Sequence, residues 1–324
     1  MSAFSDLTRK SFSASDKKRD AGLTTPDGVV RFDDIVYGAD EAWNLLDVYR
    51  PKGCDGKKLP VIVSVHGGGW VYGDKDVYQY YCMSLAERGF AVVNFTYRLA
   101  PEYKFPASVE DTDNVFRWIY ENTDTYGLDT ENVFAVGDSA GAHLLGLYAD
   151  LITNERYAKS LKEYFTKQYS VIQTKSDRDS RNIDLSDIKT IFTPQDKIKL
   201  KAVALNCGKY GLVKADESNP DTEDILNDFL VNGGDEEELK LVNVLEHITD
   251  KFPSVYIMTC YGDFLKNEAG RLTKRLEDVG VPFEYHFYGS KDNPLGHVFH
   301  CNIRLEEGQS CNDDECVFFR KFID

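Results

Sequence analysis

Two short glycine-bearing segments hold the residues best placed to do chemistry. GDSAG at 137–141 is a G-x-S-x-G pattern, with the apolar run NVFAV before it and AHLLGLY after it. A serine hydroxyl is a weak nucleophile and gains reactivity by projecting from a sharp strand-to-helix turn toward a base. Bulky neighbours would clash in such a turn. The five-residue pattern alone is common. Placed between a buried strand and an apolar helix, it reads as a nucleophile elbow at Ser139.

HGGGW at 66–70 follows the apolar run LPVIVSV and lies upstream of the serine. Acyl transfer develops negative charge on a carbonyl oxygen, and backbone N–H groups can reach that oxygen only where the chain lacks side chains. The expected donors are the N–H groups of Gly68, Gly69 and Ala140. The segment lacks the Lys-Ser/Thr of a P-loop and the G-x-G-x-x-G pattern, so a nucleotide phosphate is not its expected ligand. His66 is expected to order this loop through hydrogen bonds.

A base and an acid must complete the set. In folds that carry these two elements, the chain order is serine, acid, histidine. Of the six histidines, His66 precedes the serine, His143 follows it on the same helix, and His247 lies in a polar insertion. His286 sits inside a strand. His297 and His300 remain, in the loop after the last strand. His297 is the expected base, with Gly296 giving its loop freedom, and His300 is the runner-up. Asp263 directly follows the apolar run SVYIMTCYG and is the expected acid. It would hold the imidazole in the required tautomer and stabilise the imidazolium.

The surrounding periodicity supplies elements to position these groups. Strands are expected at 29–38, 43–51, 59–70, 90–98, 199–208, 254–262 and 282–289, and 132–151 reads as strand, tight turn and apolar helix. Helices are expected at 76–89, 108–122, 268–280 and 313–323, and the first two dozen residues read as helical or loose. Alternating strands and helices imply an α/β architecture with a largely parallel sheet covered on both faces. Three stretches break that rhythm, at about 1–28, 152–198 and 209–250, and a cap or lid is expected from them.

Composition narrows the partners. The chain has 324 residues, 42% hydrophobic content and a formal charge of −16. Negative potential disfavours nucleic acid and polyanionic substrates but not a neutral ester. Seven cysteines occur without a CxxC pair, which suits free thiols in a reducing compartment. The N-terminus has no signal-peptide pattern, and no apolar run reaches membrane-spanning length. The expectation is a cytoplasmic protein acting on a small-molecule ester, with no nucleic-acid or membrane partner. The short closing helix is too slim a basis for any oligomer assignment.

Taken together, HGGGW (66–70), YRLAPEYKFPA (97–107), GDSAGAHL (137–144), GDFLKNE (262–268) and GHVF (296–299) resemble the hormone-sensitive-lipase family of carboxylesterases. The resemblance implies an α/β-hydrolase fold with an eight-stranded, mostly parallel sheet, a cap over the site and no cofactor or metal. It implies hydrolysis of short-chain acyl esters, with the roles given above to Ser139, Asp263, His297, Gly68, Gly69 and Ala140. There are three departures. Phe264 stands where the family has a proline, 152–198 looks like an extra insertion, and the sixth strand runs into Asn206-Cys207-Gly208 where the family has a proline-containing turn. Two other readings use the same sequence. One is a carbohydrate acetyl or feruloyl esterase with the same triad, its pocket supplied by aromatics such as Trp70 and Tyr72. The other, from a different class, is a small-molecule receptor on a hydrolase frame.

Overall fold

The computed structural model describes residues 2–174, 193–214 and 221–323. Its centre is an eight-stranded sheet: β1 (Val29–Val36), β2 (Leu45–Pro51), β3 (Leu59–Val65), β4 (Ala91–Phe95), β5 (Leu128–Asp138), β6 (Leu200–Asn206), β7 (Ser254–Cys260) and β8 (Phe283–Tyr288). The strand order is β1-β2-β4-β3-β5-β6-β7-β8. The pairings β1–β2 and β2–β4 are antiparallel and the remaining five are parallel. This is the mostly parallel sheet of the α/β-hydrolase fold.

The central strands are apolar throughout because both of their faces are covered. On β3, Val61, Val63 and Val65 point into one core and Ile62 into the other. The first core is closed by α3 (Ala107–Glu121), α5 (Ala140–Thr153) and α10 (Lys266–Val279), through residues such as Phe116, Leu144 and Leu272. The second is closed by α2 (Lys75–Glu87) and α11 (Glu306–Arg320), through Tyr81, Leu85 and Phe318. A short helix, α4 (Thr123–Tyr126), leads into β5.

The closing helix starts seven residues before its expected beginning at 313. The polar stretch EEGQSCNDD reads as loop by composition. In the fold, Glu306 and Glu307 occupy the first turn, where the helix dipole favours acids, and Cys311, Asn312 and Glu315 are buried.

The remaining helices lie outside the alternating pattern. They are α1 (Ala3–Asp20), α6 (Glu155–Thr174), α7 (Asp221–Phe229), α8 (Glu236–Leu241) and α9 (Val244–His247). Of the first two dozen residues, Ala3–Asp20 are therefore helical, capped by Ser2, whose Oγ accepts from the Ser5 N–H at 3.1 Å. Parts of the two insertions expected at 152–198 and 209–250, namely 175–192 and 215–220, fall outside the described residues. Helix α1 is tied to α7 by Ser2 and Ser5, whose hydroxyls both donate to Asp228. It is tied to the segment after HGGGW by Arg9, whose Nε donates to the Val71 carbonyl at 2.7 Å.

Candidate active site

Ser139 lies between β5 and α5 with φ 52° and ψ −116°. A non-glycine residue in this region is strained, and the turn survives because its surroundings leave no alternative. A Cβ at Gly141 would lie 2.1 Å from the Val65 carbonyl oxygen, and one at Gly137 would lie 2.6 Å from the Gly141 oxygen. Both glycines of the pattern are thus demanded by the close passage of β3 and of the turn itself. The Ser139 N–H donates to the Asn206 carbonyl at 3.0 Å, fastening the elbow to β6.

The HGGGW loop leaves β3 beside this elbow. Gly68 has φ +123°, and a Cβ there would meet the Tyr72 carbonyl oxygen at 2.0 Å. Gly69 has φ +60° and open space around its missing side chain. His66 stacks on Tyr97 at 4.0 Å, and its Nδ1 lies 2.8 Å from the Gly67 carbonyl, so it does help to order the loop. The Tyr97 hydroxyl donates to the His66 carbonyl at 2.9 Å, and the Ala100 N–H donates to the Trp70 carbonyl at 3.0 Å. Through those two bonds the YRLAPE segment props the glycine loop.

The loops after β7 and β8 bring acid and base together. His297 Nδ1 and Asp263 Oδ1 are 2.7 Å apart. Asp263 is further held by the Thr259 hydroxyl at 2.7 Å and the Leu265 N–H at 2.8 Å. Burial pushes the Asp263 carboxyl up, but hydrogen bonds from His297 and Thr259 outweigh it and hold the group below the usual carboxylate range. The loops meet where the Gly262 N–H donates to the Leu295 carbonyl at 3.0 Å, and a Cβ at Gly262 would lie 2.5 Å from that oxygen. The glycine that permits the approach is therefore Gly262. Gly296, expected to supply freedom, has no left-handed φ and open space around it.

The BD-FAE family model matches residues 46–265. The chain belongs to the BD-FAE family. Among curated relatives of this BD-FAE protein, versiconal hemiacetal acetate esterase of Dothistroma septosporum is 27% identical over 248 residues, 74% of this chain and 67% of that one. Esterase LipC of Mycobacterium tuberculosis is 35% identical over 130 residues, 40% of this chain. The aligned part spans about a third of LipC's length, 32%. Among solved structures, esterase B from Lactobacillus rhamnosis in an inhibited form superposes with a TM-score of 0.81 at 23% identity, covering 99% of this chain and 96% of that one. An esterase of Pyrobaculum calidifontis gives a TM-score of 0.70 at 21% identity, covering 98% and 93%.

The BD-FAE protein assigns the other histidines to packing. His143 Nδ1 accepts from the Trp70 indole at 3.2 Å, and its Nε2 donates to the Val242 carbonyl at 2.7 Å. Burial lowers its pKa to about 4, so it stays neutral. His300 is fully buried, edge-on to Tyr81, and its pKa is pushed down to about 3 by burial and the neighbouring His297. His247 stacks on Tyr157, and His286 packs on Tyr256. Trp70 is buried and stacks on Phe229, while the half-buried Tyr72 donates its hydroxyl to Asp16. A cleft of about 520 Å³ lies behind this loop, lined by Arg9, Tyr72 and Lys75 among others, and none of the three candidate catalytic side chains lines it.

Sequence reasoning missed Tyr78, Thr259 and Phe264. The first two leave no local signal, because nothing around them in sequence announces a partner. Phe264 could have been found, since it is one of the departures already noted. Its ring is 73% exposed and lies 4.3 Å from the His297 ring. An apolar ring left in solvent beside a candidate base is a candidate substrate contact. Among the described residues, no helix is long and apolar enough to cross a membrane.

Proposed function

We propose that this protein hydrolyses carboxylic esters through an acyl-serine intermediate. Two observations support the reading: the 2.7 Å contact between His297 and Asp263, and the strained backbone of Ser139 at the turn between β5 and α5. His297 Nε2 takes the Ser139 proton as the hydroxyl attacks the ester carbonyl. The N–H groups of Gly68, Gly69 and Ala140 receive the oxyanion, and His297 then protonates the leaving alcohol. Water activated by the same imidazole releases the acid. Helices α1 and α6 to α9 form the described part of the cap. The finer kinship to hormone-sensitive lipases rests on the motifs alone.

On the acyl side, relatives named ethyl acetate hydrolase and arylacetamide deacetylase point to small groups. The carbohydrate acetyl or feruloyl ester reading is favoured over simple short-chain esters by two observations. One is the family match, and the other is the exposed Phe264 ring against His297, which offers a face for an aromatic or sugar ring. The test compares p-nitrophenyl acetate, butyrate and octanoate with acetylated xylan and methyl ferulate, using wild type and Ser139→Ala. Hydrolysis that is lost in Ser139→Ala, with phosphonate labelling at Ser139, supports the reading. A labelled residue elsewhere, or full activity in the variant, refutes it. Binding of these esters without turnover by the wild type would favour the receptor reading.

A further inference from the structure

One side chain beside the candidate triad, Cys207, has no part in the proposed ester hydrolysis. Cys207 follows β6 directly, with φ 45° and its N–H donating to the Met258 carbonyl at 2.6 Å. This is the Asn206-Cys207-Gly208 departure noted in the sequence. Its thiol is buried and faces the Met258 thioether sulfur 3.8 Å away, a weak acceptor. One ligand atom from each of Cys207, Asp263 and His297 lies within 4.8 Å of the other two.

We propose that Cys207, Asp263 and His297 form a site for a borderline-soft divalent cation of the zinc type, and that its occupation switches the catalytic histidine off. The proposal rests on the triad reading above. A sulfur, a nitrogen and an oxygen are the donor types zinc takes. Tetrahedral bonds of about 2.0–2.3 Å space such donors about 3.3–3.7 Å apart. The His297–Asp263 contact of 2.7 Å must open slightly, and the Cys207 sulfur already lies within 4.8 Å of both groups. A thiolate donor selects zinc or cadmium against magnesium or calcium. Thr259 and the Leu265 N–H already orient the carboxylate, as supporting groups do around metal ligands. The half-buried His297 gives the ion a way in, and water takes the fourth position. The neighbouring Cys260 thiol lies within reach of the Leu295 and Gly296 carbonyls, at 3.1 and 3.2 Å, and stays outside the ligand set.

The inhibition follows from proton accounting. On binding, the Cys207 thiol releases its proton to solvent and the imidazole keeps one. If Nε2 binds the ion, its lone pair is gone. If Nδ1 binds, its proton moves to Nε2. Either way, Nε2 can no longer accept the Ser139 proton, and the acylation step stops.

The test uses chelator-treated protein carrying Cys54→Ser, which removes the one cysteine that is not buried. Cadmium is titrated while the thiolate-to-metal charge-transfer absorption is followed, in that protein and with Ser139→Ala added. One saturating equivalent is expected in both. The band should vanish with Cys207→Ser, and affinity should fall at least about tenfold with His297→Gln, which keeps the thiol should the serine variant fold poorly. Zinc should suppress hydrolysis, and chelator should restore it. Absence of a saturable band, a band that survives Cys207→Ser, or undiminished hydrolysis by metal-loaded protein would overturn the site. The Ser139→Ala arm reads binding without turnover, so loss of the esterase reading and loss of the metal site are separate results.

Discussion

The Tyr78 hydroxyl donates to the Asp138 carboxylate at 2.8 Å and, at the same oxygen, accepts the Gly67 N–H at 2.9 Å. Asp138 precedes Ser139, and Gly67 precedes Gly68. One fully buried phenol thus spans the two backbone segments that carry the proposed nucleophile and oxyanion donors. Asp138 is buried, which raises its carboxyl to about 6 despite the Tyr78 hydrogen bond. Tyr78→Phe removes both bonds and strands two buried groups, which costs about 1–3 kcal/mol for each. We expect kcat to fall about tenfold or more with KM little changed, because misplacement acts on the transition state. Steady-state kinetics alongside thermal denaturation would check this, and an unchanged kcat in a destabilised protein would make the tyrosine purely structural.

The two proposed donor glycines differ in what a methyl group would meet. At Gly68 a Cβ collides with the Tyr72 carbonyl, whereas at Gly69 it meets nothing within 4 Å and only the positive φ opposes it. Gly69→Ala should therefore cost about 1 kcal/mol, and Gly68→Ala several times more. Melting temperatures of the two variants provide the comparison, and equal shifts would contradict the loop geometry.

Phe264 packs on the proposed base His297 but has no proton to exchange, so it can sort substrates without taking part in the proposed proton relay. Phe264→Ala should raise KM for methyl ferulate more than for ethyl acetate, with kcat on ethyl acetate within about twofold, since a lost ring contact is worth about 1 kcal/mol. A parallel loss on both esters would place the ring in support of His297 instead.

Glu315 offers a pH signature away from the reacting groups. It is fully buried, and desolvation lifts its carboxyl to about 7 against hydrogen bonds from Asn206 and Tyr81. For a raised acid, the associated stability is complete below the unfolded value near 4.5 and is lost as pH rises through the folded value near 7. Glu315→Gln removes this dependence. The Asn206 Oδ1, buried without a partner, can turn to accept from the new amide. The variant should match wild type near pH 4.5 and exceed it by a few kcal/mol, ~3, at pH 8. Chemical denaturation at the two pH values measures the difference, and a constant offset would refute it.

Much of this was legible in the sequence, for a local reason. Glycine spacing in HGGGW and GDSAG reports backbone paths that only glycine can follow. Apolar runs report strands covered on both faces. The order of Ser139, Asp263 and His297 along the chain narrowed the candidate acid and base to two short loops. None of these inferences needs a distance between remote residues. The tertiary structure alone decided the rest. His297 and His300 stand three residues apart in equivalent-looking sequence. Only the approach of two loops at Gly262 and Leu295 places the first against Asp263, while the second is buried beside Tyr81. Tyr78 meets Asp138 across 60 residues, and Cys207 reaches the Asp263–His297 pair from another strand. Such contacts depend on how helices and loops pack over the sheet. Local spacing encodes backbone conformation, but it carries no record of which distant side chains that packing brings within bonding range.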